Sequence, residues 1–230
     1  MARTLRELRE ELLDRLNFGS QATADTATVR LANSFLRNAQ TQLYWHYDFS
    51  DLLMIWKIDL SLNVAQYDWP TVEENPAVVG VTNELEPRRI INVSLQDGTF
   101  RSPPLREGIL PTFYNQTSGG RPTHYARRAK VEFWPVPDSS SYDIYIEGYC
   151  KLRPFESDTD TTTVDEELVF MLALANGKAH YRQPDAEIYA NEMNAMMKRL
   201  RGADHGGRRY IPGQNDDHTA MPMPRRVDGP

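Results

Sequence analysis

Few residues of this 230-residue sequence are spaced in a way that could support catalysis or metal binding. The five histidines never fall at the i, i+4 spacing with which a helix presents two metal ligands; they are His46, His124, His180, His205 and His218. The sequence has no nucleophile elbow, no glycine-rich phosphate loop and no H-E-x-x-H motif. The single cysteine, Cys150, excludes an intrachain disulfide and a cysteine-built zinc site, and we interpret it as a buried, unreactive thiol. We therefore predict that the protein is not an enzyme and has no catalytic residues, no cofactor and no metal.

An acidic cluster is the one group of residues with catalytic potential; it consists of Glu156, Asp158, Asp160, Asp165, Glu166 and Glu167. Asp158 and Asp160 match positions 1 and 3 of a calcium loop, but Thr163 stands where that loop needs glycine and Val169 where it needs glutamate. Carboxylates complement the positive end of a helix dipole, so we interpret the cluster as a loop that enters a helix. A pair of carboxylates for glycoside hydrolysis stays open, because any two acids can meet across a cleft.

Composition places the chain among ordinary globular proteins, with 40% hydrophobic residues, 25% charged residues and a net charge of −6. A general nucleic-acid binder would carry a basic face, and a net charge of −6 does not favour one. The longest uninterrupted apolar run, Leu168 to Ala175, is far shorter than the about 20 residues that a membrane helix needs. We expect a soluble protein that is made in a reducing cytoplasm and has no membrane contact.

Prolines divide the chain into stretches of different character. Residues 1–69 have none, residues 70–154 have ten of the fifteen, and residues 155–201 have only Pro184. Because proline blocks helix interiors, this distribution predicts helices, then strands, then helices, followed by a glycine- and proline-rich tail from Gly202. The predicted fold class is α+β: antiparallel helices from both chain halves form a helical domain, with an inserted small antiparallel β-domain and an extended C-terminal arm. The predicted divisions are residues 1–50 for an N-terminal helix pair, 51–155 for the β-domain, 156–201 for a C-terminal helix pair and 202–230 for the tail.

Capping patterns predict where the helices begin and end. A capping box, Thr4-x-x-Glu7, begins the first helix, and Gly19 ends it. The second helix begins near Thr23 or Asp25 and runs into an aromatic cluster at residues 44–49. We interpret this cluster as a plug between helices and sheet rather than as a base-stacking surface, since no arginine is near it in the sequence. A second capping box, Thr163-x-x-Glu166, begins the third helix, and the fourth ends before Gly202.

Alternating apolar and polar residues predict the strands of the β-domain. The alternation is complete over residues 57–64, and a second strand ends at the turn dipeptide Asp97-Gly98. Two further strands are predicted at residues 131–134 and 142–146. Short strands and edge prolines favour a single small antiparallel sheet.

Two segments carry apolar residues that the predicted core does not use. The loop of residues 107–122 holds Ile109, Leu110, Phe113 and Tyr114, and the tail holds Tyr210, Ile211, Met221, Met223, Arg225 and Arg226. Long loops with exposed apolar side chains are typical of binding surfaces, so we predict that these residues contact another subunit or a partner protein. Replacing Phe113 and Tyr114 by alanine is expected to leave folding intact and to weaken assembly.

Several motifs in order along residues 5–200 resemble the head-to-tail adaptor (connector) proteins of short-tailed bacteriophages. They are Leu43-Tyr44-Trp45-His46-Tyr47-Asp48-Phe49, Gln66-Tyr67-Asp68-Trp69-Pro70, Arg88-Arg89-Ile90-Ile91-Asn92-Val93, Gly120-Arg121-Pro122-Thr123-His124-Tyr125-Ala126, Glu132-Phe133-Trp134-Pro135-Val136-Pro137-Asp138 and Tyr142-x-Ile144-x-Ile146. The tail from Gly202 lies outside the resemblance. Some adaptors of this broad type hydrolyse peptidoglycan, but no matching catalytic motif is present here.

The resemblance implies a structural protein of the virion neck. Its partners would be further copies of itself in a ring of twelve, the portal protein and a tail nozzle or tail tube protein, with genomic DNA passing through the ring without sequence-specific binding. Two other functions stay open: a peptidoglycan-degrading tail hydrolase that uses paired carboxylates, and a glycan-binding module of the tail surface. The glycan-binding module would need clustered, exposed aromatic side chains on its sheet.

Overall fold

A computed structural model describes residues 3–19, 25–72, 83–115 and 119–206 of the protein. These residues form helices and two sheets, so the predicted mixed α+β class is confirmed. Among them, no helix is both long enough and apolar enough to cross a membrane. The helices are α1 (Leu5–Arg15), α2 (Thr26–His46), α3 (Glu166–His180) and α4 (Ala186–Gly206).

The first two helices begin where the sequence predicts. Thr4 and Glu7 form the reciprocal hydrogen bonds of a capping box at the start of α1, and the Asp25 carboxylate accepts the Thr28 N–H at the start of α2. The α1 helix ends one turn before Gly19, because Asn17 already adopts a positive φ of 65° that breaks the helical path.

The predictions for the later helices need two corrections. The prediction of a capping box at Thr163 is wrong. Asp165 caps α3 by accepting the Leu168 N–H at 2.9 Å, and the Thr163 hydroxyl accepts the Arg153 N–H instead. The predicted end of the fourth helix before Gly202 is also wrong, because α4 continues to Gly206. The rest of the predicted tail lies outside the described residues.

Strands from the middle of the chain form two four-stranded sheets rather than the single small sheet that was predicted. The first is antiparallel with the order β1-β8-β3-β4, and the second has the order β2-β7-β6-β5 with β5 parallel to β6. The strands are β1 (Leu53–Asp59), β2 (Gln66–Tyr67), β3 (Leu85–Asp97), β4 (Phe100–Arg101), β5 (Arg106–Glu107), β6 (His124–Arg127), β7 (Val131–Trp134) and β8 (Tyr142–Cys150).

Turn residues explain how the strands end. The predicted strand over residues 57–64 is wrong in its second half, because Asn63 takes a positive φ of 61° in the turn that follows β1. Asp97 and Gly98 form the predicted hairpin between β3 and β4, with Gly98 at φ 57°. The next two predicted strands exist as β7 and β8, but they belong to different sheets.

One hydrophobic core connects the helices to the sheets. The α3 helix is buried on most of its surface and contacts α1, α2 and α4. Trp56 and Ile146 extend the core into the first sheet, and Phe133 extends it into the second. The core thereby joins both sheets to the helices.

Candidate interaction surface

Arg89 joins the end of α2 to the first sheet. Its guanidinium donates to the carbonyl oxygens of Tyr44 at 2.6 Å and Tyr47 at 3.0 Å, and it forms an ion pair with Asp48 at 2.5 Å. The guanidinium carbon lies 4.7 Å from the Tyr44 ring centroid and 4.1 Å from that of Tyr149. Arg89 thus satisfies carbonyl groups at a helix C-terminus, which have no partner within the helix.

The aromatic cluster at residues 44–49 packs between helices and sheet as predicted. Tyr44 is fully buried, and its hydroxyl donates to the Cys150 carbonyl at 2.8 Å. Burial raises the pKa of Tyr44 to about 12, so the hydroxyl stays protonated. Tyr47 and Phe49 pack against the core, whereas Trp45 is exposed. Sequence reasoning missed Arg89 as the partner of this cluster, although Arg88-Arg89 stands in one of the motifs quoted above.

The loop that follows β5 is anchored to its own sheet more firmly than predicted. Ile109 is buried, which contradicts the prediction that all the apolar residues of this loop are exposed. Phe113 lies in a short 3₁₀ helix (Pro111–Asn115) and stacks on Trp134 with ring centroids 4.1 Å apart. Phe113 therefore packs against the second sheet, and its truncation would uncover Trp134; whether folding stays intact without it remains a prediction.

Tyr114 is tied to the second sheet through its hydroxyl, which donates to Glu132 at 3.0 Å and accepts from Arg128 at 2.7 Å. Desolvation, followed by the charge and hydrogen bond of Glu132, raises the pKa of Tyr114. One face of Tyr114 stays exposed, as does the Leu110 side chain. These are the loop residues that remain accessible to a partner. The predicted contacts of the tail, from Tyr210 to Arg226, lie outside the described residues.

The acidic cluster holds α1 in place. Asp158 accepts two hydrogen bonds from Arg9, at 2.8 and 3.0 Å, although the Arg9 side chain is only 3% exposed. Main-chain carbonyls of Asp158 and Asp160 accept the N–H groups of Arg6 and Leu5 in the first turn of α1. The Glu166 carboxylate accepts the main-chain N–H of Arg3, and the Glu167 carboxylate accepts an N–H of the Arg3 guanidinium, each at 2.5 Å. Each of these four acids therefore has a structural contact that accounts for its position.

Carboxyl groups of the cluster are held in their ionised form. Hydrogen bonds from Arg9 lower the pKa of Asp158, and hydrogen bonds from Ser157 lower that of Asp160. Hydrogen bonds likewise lower the pKa of other described carboxylates, namely Glu7, Asp25, Asp59, Glu107 and Asp185. A glycosidase needs a general acid with a raised pKa. Within the same ranges, no group of three His, Cys, Asp or Glu residues could hold a metal ion.

An exposed apolar surface lies on the outer side of the first sheet. In β1, Trp56 and Ile58 point into the core, whereas Leu53 and Ile55 are exposed, Ile55 by 50%. Ile91, which is 56% exposed, lies in a bulge of β3 opposite Gly148 and Glu147 of β8. We call the exposed apolar side chains of Leu53, Ile55 and Ile91 the outer apolar patch; Glu147 of β8, which pairs with Ile55 of β1 and Asn92 of β3, lies between the two isoleucines. Sequence reasoning missed it, but the uninterrupted apolar run at residues 52–56 indicates a strand that needs cover on both faces.

Exposed aromatic side chains do not gather on one sheet. In the part of the chain that the structure describes, the large exposed aromatics are Trp45, Phe100 and Tyr114. They belong to α2, to the short strand β4 and to the loop after β5. The cluster that a glycan-binding sheet would need is therefore not formed by these residues.

Comparison with known families identifies the chain. A family model described as SU10 adaptor protein matches residues 3–216. The chain therefore belongs to the SU10 adaptor protein family, which confirms the predicted resemblance to phage adaptors. It is a bacteriophage structural adaptor, a component of the virion that associates with other virion components. The match continues past Gly202, where the motif resemblance ended. No curated protein matches the chain.

Proposed function

We propose that the protein is a head-to-tail adaptor that forms a ring of twelve copies between the portal and the tail nozzle or tail tube. The ring lies in the virion neck, and genomic DNA passes through it without sequence-specific binding. We also propose the division into a helical domain (1–50 with 156–206), an inserted β-domain (51–155) and a C-terminal arm, whose predicted start at residue 202 moves to 207 because α4 ends at Gly206. The protein acts through contacts, without catalysis and without a cofactor.

The outer apolar patch is the observation that supports this proposal best. Leu53 and Ile55 lie on β1, which is an edge strand of the first sheet in the described residues. An edge strand with exposed apolar side chains invites pairing or packing with another chain. A protein that functions in an assembly can retain such an exposed apolar surface, because neighbouring copies cover it.

The loop and the tail supply further contacts in this proposal. Leu110 and the exposed face of Tyr114 contact a neighbouring copy or another virion protein, while Ile109 and Phe113 hold the loop in position. In the arm, Tyr210, Ile211, Met221 and Met223 act as apolar anchors, and Arg225 and Arg226 pair with acids of the partner. A net charge of −6 suits a channel for DNA, since a wall that bound phosphate strongly would slow its passage.

Electron microscopy of the protein mixed with its portal tests the proposal directly. We expect a ring of twelve copies on the tail-facing side of the portal. The matched control is the portal alone, which shows whether the added density belongs to this protein. A protein that stays monomeric beside the portal would contradict the proposal, and so would peptidoglycan turnover that is lost when a single acid is replaced.

A further inference from the structure

One edge of the first sheet is open among the described residues. The opposite edge carries β4 and the chain that follows it, since the N–H groups of Ser102 and Leu105 donate to the carbonyls of Leu95 and Val93 at 2.8 and 2.7 Å. The open edge is β1, whose seven residues pair with β8 in one continuous register. Prolines and bulges usually protect an edge strand, and β1 has neither.

The hydrogen bonds of the sheet show which main-chain groups of β1 point outward. In antiparallel strands, opposite residues alternate between pairs that exchange N–H···O bonds and pairs that do not. Leu60 follows β1 in the same register, and its N–H donates to the Tyr142 carbonyl at 2.9 Å. The even-numbered residues of β1 therefore bond β8, whereas the main-chain groups of the odd-numbered residues point away from it. These residues are Leu53, Ile55, Lys57 and Asp59.

Three of the outward N–H groups are available to another strand. The Leu53 N–H donates to the Ser50 carbonyl, but those of Ile55, Lys57 and Asp59 have no partner in the described part of the chain. The Lys57 ammonium group does not protect the edge by its charge, because Asp59 and Asp143 bind it at 2.9 and 3.2 Å. The chemistry of this edge thus fits the main chain of an extended strand.

We propose that the free protein forms a dimer in which β1 pairs with β1 of a second copy, antiparallel and about a two-fold axis at Trp56. Ile55 then lies opposite the second copy's Lys57, and Leu53 lies opposite its Asp59. Three N–H groups of each copy donate across the axis, which gives about six main-chain hydrogen bonds. The two four-stranded sheets become one continuous sheet, and the two Ile55 side chains are diagonal neighbours on its outer face.

Charge and strand length favour this register over its neighbours. A shift of the axis to Lys57 would place the two lysines directly opposite each other, which destabilises a strand pair. A shift to Ile55 would place Asp59 opposite the 3₁₀ turn at Ser50–Leu52, so the strands would pair over only part of their length. With the axis at Trp56, the whole of β1 pairs and no like charges lie opposite each other. The strand is therefore complementary to itself, which is why we assign the edge to a second copy.

This contact goes beyond the proposed ring. A two-fold pair closes on itself, so it cannot be the repeated contact of a cyclic ring. It covers the open edge of β1 in the free protein, and the pair must dissociate before Leu53 and Ile55 contact neighbouring copies in the ring.

Cross-linking of single-cysteine variants of the full-length chain tests the pairing and its register. Leu53→Cys and Asp59→Cys are prepared separately, mixed and treated with a short bis-maleimide; the native Cys150 is buried. The mixture should give a cross-linked dimer, because the two positions lie opposite each other with Cα atoms about 5.5 Å apart. Each variant alone is the matched control, since its two cysteines would be roughly 20 Å apart along the strands.

Ile55→Pro tests the main-chain bonds. The Ile55 N–H points away from β8, so its loss removes no hydrogen bond within the sheet, and edge strands tolerate proline. Ile55→Thr is the matched control, because it changes the side chain and keeps the N–H. We expect Ile55→Pro to dimerise at least about tenfold more weakly than Ile55→Thr, since two bonds across the axis are lost. Sedimentation equilibrium up to about 100 μM measures the dimer, and thermal melting shows whether each variant is folded.

Three results would overturn the inference: wild-type protein that stays monomeric over this range, a mixture that cross-links no better than either variant alone, or a folded Ile55→Pro that dimerises as well as Ile55→Thr. If Ile55→Pro does not fold, the cross-linking decides. A protein that is monomeric alone and loses portal binding only in folded Ile55→Pro would reassign the edge to a strand of another virion protein. A ring on the portal in electron microscopy would leave the proposed function standing in each case.

Discussion

Arg9 and Arg89 carry their charges almost completely inside the protein, with side chains 3% and 9% exposed. Each guanidinium reaches oxygens from a distant part of the chain: Arg9 binds Asp158, and Arg89 binds the end of α2. Burial of an unpaired charge is costly, so removal of one side of such a contact leaves the other side without its partner. These two arginines thus add polar contacts between distant parts of the chain to those of the hydrophobic core.

Arg89→Ala should lower the free energy of unfolding by about 3 kcal/mol or more, because it leaves carbonyls of α2 and the Asp48 carboxylate without their donor. For a chain of this size, that change corresponds to a melting temperature lower by roughly 6–12 °C. Arg88→Ala is the matched control, since the Arg88 side chain makes no comparable contact. Thermal melting monitored by circular dichroism gives the melting temperature of each variant. Equal losses for the two variants would show that Arg89 is not the anchor.

Sequence alone could not distinguish Arg88 from Arg89, because two adjacent arginines have the same local pattern. Their contacts separate them, because Arg89 binds the end of α2 whereas Arg88 is exposed. The buried leucines of α1 and α2, by contrast, were predictable from their spacing. The stacking of Phe113 on Trp134 forms only through tertiary folding, so the position of the loop could not be derived from spacing.

Among the elements, α1 depends on the acidic loop before α3. The loop supplies carbonyl acceptors to the first turn of α1 and a carboxylate to Arg9. An 11-residue helix is marginal by itself in water, so its stability must come from these contacts and from its buried leucines. The sequence predicted both the acidic cluster and the helix, but nothing in the local pattern joins residue 9 to residue 158.

Asp158→Asn should destabilise the protein more at pH 7 than at pH 3. Arg9 lowers the pKa of Asp158 in the folded state below its ordinary value of about 4. As the pH falls, the unfolded chain therefore takes up the proton first, and the stabilisation present above pH 4 is lost as the pH drops through the folded pKa. Urea unfolding at both pH values measures the difference.

Asp14→Asn serves as the control for this pH dependence, because Asp14 is exposed on α1. We expect a small effect of Asp14→Asn that is the same at both pH values. A loss of stability in Asp158→Asn that does not change with pH would indicate packing rather than charge as the role of Asp158.

Gly148 is the residue that permits the bulge between β3 and β8. A Cβ atom there would lie 3.0 Å from the Arg89 carbonyl oxygen and 3.3 Å from the Ile90 Cα. Because backbone atoms cannot move aside easily, Gly148→Ala should cost about 1–3 kcal/mol of stability. Gly120→Ala, whose Cβ would make only ordinary contacts at 3.7 Å, should be nearly neutral. Urea midpoints of the two variants test this, and a neutral Gly148→Ala would mean that β3 can shift.

At the scale of the whole molecule, the core covers one face of the first sheet and leaves the other face to its surroundings. The buried side carries Trp56, Val93 and Ile146, while the outer apolar patch lies on the opposite side. Arg89 stacks on Tyr149 at the end of the sheet nearest α2. This asymmetry agrees with a structural adaptor that folds as a single chain and whose exposed apolar side chains are covered on assembly.

Replacing Ile55 and Ile91 together by threonine should weaken assembly without unfolding the protomer. Threonine keeps the β-branch that strands prefer, and exposed positions away from special features usually change stability by about 0.5 kcal/mol or less. Loss of two apolar contacts at a well-packed interface would cost about 1 kcal/mol or more each, so the concentration needed for half-assembly should rise at least about tenfold.

Leu62→Thr is the matched control, since Leu62 is as exposed but lies in the turn after β1. Sedimentation velocity over a range of concentrations, with and without the portal, measures assembly, and thermal melting confirms that each variant is folded. If the double variant assembles at the wild-type concentration, the outer apolar patch is not part of the interface, and the contacts of the ring must be sought on the loop after β5.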